Sequence, residues 1–133
     1  MKKGGILNPK LASFVASSQH GDNIVICDSG YPIPFGKECL DLSVTVNLPR
    51  SLDVLKVVLE DLKIEGVIIA NEMEVRSKWF YDELMKLVPG IPVQKISHAE
   101  FKELAKKEQN IVFVRTGEAT PFANLILVSG VIF

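Results

Sequence analysis

The run Gly66-Val67-Ile68-Ile69-Ala70 has no polar residue on either side of its alternation, so a strand formed from it must be covered on both faces. The chain supplies the covers on either side of it. Before the run, Ser51 is an expected N-cap for a helix over residues 52–62, where Leu52, Leu55, Val58, Leu59 and Leu62 form a wide apolar face. After it, a helix capped by Ser77 is expected to extend to Leu87 and to end at Pro89-Gly90. A doubly covered strand between two helices restricts the chain to an α/β architecture. The remaining segments repeat the pattern. Leu11, Phe14 and Val15 have helical spacing within residues 7–18, and residues 24–27 read as a strand. Pro32 and Pro34 exclude regular structure from the loop that follows. Strands are expected at 42–46, 92–96, 111–114 and 125–133, with a further helix over 97–107. The expected fold is a single-domain three-layer α/β/α sandwich over residues 1–133, with a mostly parallel sheet.

At 133 residues the chain is large enough for one real core. A hydrophobic fraction of 47% and a mean hydropathy of +0.24 are high for so small an interior, which favours contacts between copies in a homo-oligomer over a dense monomer core with a few exposed aliphatics. Fifteen basic residues stand against sixteen acidic ones without a basic cluster, which argues against nucleic acid as a partner. The start, Met1-Lys2-Lys3-Gly4-Gly5-Ile6-Leu7-Asn8-Pro9, lacks the apolar region of a secretory leader. No apolar run is long enough to span a bilayer. Cys27 and Cys39 form no Cys-x-x-Cys pair and read as reduced thiols of a cytoplasmic protein.

In sheets of this kind ligands bind beyond the carboxyl ends of the strands. That rule selects Asp28, Asn71-Glu72-Met73, Ser97-His98 and the loop after Arg115. Asp28 reads either as a site carboxylate or as a turn residue bonding its own backbone, and Glu72 and Glu74 also fit solvated charges. Ser97-His98-Ala99-Glu100 matches a capping box, which puts His98 in the first helical turn with Lys102 four residues on, along the same face. Those two residues read equally as part of a polar site or as a solvated helix start. His20, one of two histidines, fits a general acid–base group or a helix-end residue interacting with the last carbonyls. If most of the chain between His20 and Asp28 is strand, about 3.3 Å per residue puts them on the order of 20–25 Å apart. One small ligand then touches both only if the segment at 21–23 folds back or two subunits share the site. The apolar excess favours the second. Asn124, at the end of a polar loop containing Gly117 and Pro121, can donate and accept as a ligand hydroxyl requires. No phosphate-binding glycine motif, zinc spacing or nucleophile motif is present, and no metal is expected.

Three blocks together resemble the D-ribose pyranase family, sister to the fucose mutarotases. They are Met1-Lys2-Lys3-Gly4 with Leu7-Asn8, then His20-Gly21 through Cys27-Asp28-Ser29-Gly30-Tyr31-Pro32-Ile33-Pro34, and Arg115-Thr116-Gly117-Glu118 through Pro121-Phe122-Ala123-Asn124. The second block has the form of the ribose branch. The resemblance implies cofactor-free interconversion of β-D-ribopyranose and β-D-ribofuranose, with His20 as proton donor. It also implies sugar contacts from Asp28, His98, Phe122, Ala123 and Asn124, and from Lys102 at a looser match. It implies a cytoplasmic ring, a pentamer or decamer, with D-ribose held between subunits. Phe122 departs from the pattern, because the family usually has Tyr there. A non-catalytic ribose-binding accessory of a sugar uptake system would carry the same polar residues, so the sequence leaves that alternative open.

Overall fold

The computed structural model describes residues 1–133 as six strands and five helices. In chain order they are α1 (Pro9–Ser17), β1 (Asn23–Cys27), β2 (Cys39–Asp41), α2 (Ser51–Asp61), β3 (Ile64–Ala70), α3 (Asn71–Arg76), α4 (Lys78–Leu87), β4 (Val93–Ile96), α5 (His98–Lys107), β5 (Ile111–Arg115) and β6 (Leu125–Ser129). The strands form one sheet in the order β2-β5-β1-β6-β3-β4. Five strands run in one direction. β6 alone runs against them, lying antiparallel between β1 and β3, so the sheet is mixed but mostly parallel. No helix is long and apolar enough to cross a membrane.

Alternation along the strands divides the interior into two layers. On one face Ile24 and Ile26 of β1, Val67 and Ile69 of β3 and Leu125 and Leu127 of β6 pack beneath α1, α2 and α4. On the other, Val25, Cys27, Phe113 and Ile126 pack beneath Phe101 and Ala105 of α5 and the ring of Tyr31. Both faces carry helices as expected, though the second layer is the thinner, with one helix and a loop.

Several local expectations are corrected. The second strand is Cys39–Asp41, earlier than 42–46. Phe113, Val114 and Arg115 of β5 pair in register with Cys39, Leu40 and Asp41. Residues 42–46 form only the Thr45–Leu48 bridge, leaving Val44 and Val46 exposed. Ser51 is the first residue of α2 rather than its cap. Arg50 occupies the cap position, and the buried Ser51 hydroxyl meets Thr116 Oγ1 at 2.9 Å. Ser77 precedes α4 but donates to the Pro121 carbonyl at 2.6 Å instead of capping the helix. The last strand stops at Ser129, and the segment after Ala70 coils into the short α3. The capping box at the start of α5 forms as read, with both reciprocal bonds present.

Candidate functional site

β1 ends at Cys27, and Asp28 follows it at the carboxyl end of the sheet. Its carboxylate is fixed on both oxygens. Oδ1 accepts from Gly30 N at 2.9 Å, closing an Asx-type turn, and Oδ2 accepts from Asn124 Nδ2 at 2.8 Å. The Asp28 amide in turn donates to Asn124 Oδ1 at 2.8 Å. Asn124 is therefore bonded through both ends of its amide to one residue, and it is buried. Its place just before β6, antiparallel to β1, makes this possible, because the start of one strand then adjoins the end of the other. Asp28 is thus a turn residue, as one of its two readings expected, and its carboxylate lies at the carboxyl end of the sheet.

His98 occupies the first turn of α5, at the carboxyl end of β4. Its backbone N–H donates to the Glu72 carboxylate, at 2.9 Å to the nearer oxygen. Glu72 on α3 thus terminates the positive end of α5 and is no free surface charge. The imidazole stacks on Phe101 at 6.4 Å between ring centres and meets Phe122 edge-on at 5.0 Å. Its Nδ1 is buried without a partner. Burial and, secondarily, the nearby Lys102 ammonium lower its pKa below the ordinary 6.5. Protonation would bury a donor with nothing to accept it, so the ring is neutral at pH 7.

Phe122 is half-buried and takes a left-handed backbone conformation, φ 59°, which turns its ring back toward His98. Ala123 is buried. Lys102 is exposed on α5. Asp28, His98, Phe122, Ala123 and Asn124 thus gather at one end of the sheet, with Lys102 beside His98.

The loop that carries this end is held from beneath by a carboxylate the sequence did not single out. Glu118 is 1% exposed. It pairs with Arg50 at 2.9 Å, accepts from Ser51 N at 3.0 Å and accepts the Thr120 hydroxyl at 2.6 Å. Its own carbonyl accepts from Ser29 N at 2.9 Å, tying the Asp28 turn to the 118–124 loop. Gly117 explains itself sterically, since any Cβ there would run into the carbonyls of Thr45 and Leu48. The legible signals for Glu118 were its position in a loop at a strand end and its place in the Arg115-Thr116-Gly117-Glu118 block.

His20 lies elsewhere. The Gly21 amide donates to the Ser129 carbonyl at 2.9 Å, and Asn23 opens β1, so His20 sits at the amino end of the strand whose carboxyl end leads to Asp28. The segment at 21–23 does not fold back. The His20 Nε2 is 2.9 Å from Glu65 Oε2, with the two side chains 60% and 47% exposed. It meets this carboxylate rather than the last carbonyls of α1. No cluster of three or more histidines, cysteines or carboxylates capable of holding a metal is formed.

Comparison with known proteins agrees with this architecture. Residues 1–132 match the model of the RbsD / FucU transport protein family. D-ribose pyranases from Coprothermobacter proteolyticus and Petrotoga mobilis are each 47% identical over 133 residues, covering all of both chains. The structure of Bacillus subtilis RbsD complexed with D-ribose superposes with a TM-score of 0.93 at 41% identity, covering both chains fully. A fucose mutarotase from Streptococcus pneumoniae, 23% identical over 96% of this chain and 95% of its own, shares the fold with a TM-score of 0.74.

Proposed function

The chain belongs to the RbsD / FucU transport protein family, and on that premise we propose that it is a D-ribose pyranase, interconverting β-D-ribopyranose and β-D-ribofuranose. The observation that carries this reading is full-length identity of 47% to D-ribose pyranases. The structure supports it with a pocket end suited to a neutral polyol. Asp28 offers a carboxylate acceptor held in place by Asn124 and Gly30, and neutral His98 with Phe122 offers aromatic surface to the apolar face of a sugar.

The chemistry asks little more than proton transfer. In the pyranose, the bond between C1 and the ring oxygen breaks while that oxygen takes a proton and the anomeric hydroxyl gives one up to water, leaving the open aldehyde. The C4 hydroxyl then adds to C1, its proton leaves and the new anomeric oxygen gains one, so the cycle balances. We assign the proton given to the ring oxygen, and regained from the C4 hydroxyl, to His20. Asp28, His98, Lys102, Phe122, Ala123 and Asn124 hold the sugar. Positioned acid–base help of this kind contributes about 10²–10⁴-fold.

His20 and Asp28 lie at opposite ends of β1, so we assign the complete site to two copies of the chain in a homo-oligomeric ring. Exposed Val44, Val46, Val75, Trp79, Ile132 and Phe133 supply apolar surface for contacts between copies. Cytoplasmic placement suits Cys27 and Cys39, both free thiols. Saturation-transfer NMR on ribose tests the reading. A pyranase accelerates pyranose–furanose exchange, whereas a ribose-binding accessory leaves exchange at its buffer rate and sinks the assignment.

A further inference from the structure

We infer that Glu65 is a positioning residue for His20, holding the imidazole so that its Nδ1 faces the sugar. The inference rests on the assignment of His20 as proton donor. The carboxylate can only accept, so the 2.9 Å contact puts a proton on His20 Nε2 and leaves Nδ1 as the atom that gives and takes the reacting proton.

Two features of the backbone direct Glu65 to this position. The pairing of β3 with β6 shifts register between Ile64 and Gly66, so Glu65 is the extra residue of a β-bulge. Bulges re-aim a side chain out of the ordinary alternation. Opposite it stands Gly130, where an added Cβ would come within 3.2 Å of both Glu65 Cβ and Glu65 N. A side chain at 130 would therefore push on the residue that holds His20. On the histidine side the backbone is fixed as well. Asp22 Oδ2 accepts from Gln19 N at 2.8 Å, and Gly21 N and Asp22 O bond to the Ser129 backbone at 2.9 and 2.8 Å. With both main chains anchored, the side-chain torsions of His20 are the remaining freedom, and Glu65 removes it. A contact this exposed adds little to stability, so its value lies in orientation.

The test measures ribose exchange at saturating sugar, ribose affinity and thermal stability for Glu65→Ala, Glu65→Gln, Gly130→Ala, His20→Ala and the double variant His20→Ala/Glu65→Ala. We expect Glu65→Ala to slow exchange by roughly tenfold or more with affinity and melting temperature little changed. Glu65→Gln should stay within about threefold of wild type, because its amide oxygen still accepts from Nε2. Gly130→Ala should slow exchange by displacing Glu65, and removing Glu65 should have no further effect once His20 is gone. Wild-type exchange in Glu65→Ala, or a full additional loss in the double variant, overturns the inference. Exchange that survives His20→Ala instead overturns the assignment of His20, so the two failures are distinguishable.

Discussion

The two ends of the sheet carry their polar groups in opposite ways. At the carboxyl end, Asp28 and Asn124 satisfy one another at 2.8 Å in both directions, His98 is wedged between two aromatic rings, and the buried Glu118 carboxylate, paired with the half-buried Arg50, supports the loop. At the amino end, His20 and Glu65 are 60% and 47% exposed and bond one another at 2.9 Å. The first arrangement is fixed by bonds within the chain itself. The second leaves a histidine turned outward, as the proposed site between two copies requires. Binding and proton transfer should accordingly respond to different mutations.

The largest effect separates them most cleanly. His20→Ala should abolish exchange, a loss of about 10²–10⁴-fold, while ribose affinity stays within about tenfold. Equal losses in both would merge the two ends into one function. The converse holds for Asp28→Asn and Asn124→Ala. Each leaves a hydrogen-bonding group without its partner, at about 1–3 kcal/mol, and calorimetry should show weakened ribose binding with exchange at saturation much less affected. Phe122→Tyr should bind ribose as well or severalfold tighter, since a restored hydroxyl can add a bond worth about 0.5–1.5 kcal/mol. Distinctly weaker binding would show a pocket shaped around phenylalanine.

The smallest effect concerns His98 and pH. Its folded pKa lies below 6.5 because burial opposes the charged form, so the unfolded chain takes up this proton first as pH falls. The contribution to stability is intact above pH 6.5 and declines as pH drops from there through the folded pKa. Denaturant titrations of His98→Gln should show a flatter slope in that window. An unchanged slope would remove His98 as its source.

The carboxyl end was largely legible in the sequence because its determinants are local. Ser97 and Glu100 announce the start of α5, and the break after Cys27 places Asp28 at a strand end. What could not be read were facts of pairing. Nothing in the composition of β6 states that it runs against its neighbours, yet that direction brings Asn124 to Asp28. Residues 42–46 alternate like a strand, but β5 pairs with Cys39–Asp41 instead, and Arg115 bonds Asp41 at 3.2 Å. Ser51 resembles a cap until the neighbouring Thr116 and Glu118 engage its hydroxyl and amide. Glu65 was invisible for the same reason, since a bulge exists only once two strands meet.

The central claim, that the two ends of the sheet meet across copies in one site, is tested most directly by mixing two variants and assaying them at ribose far below saturation, where one lacks the proton donor and the other binds the sugar weakly. His20→Ala and Asp28→Asn, co-refolded at equal amounts, should form mixed oligomers in which about a quarter of interfaces join an intact His20 to an intact Asp28. The account predicts that exchange returns toward about a quarter of the wild-type rate on mixing. Mixed oligomers that form, as verified by mass spectrometry, yet exchange this dilute ribose no faster than the separate variants would contradict it.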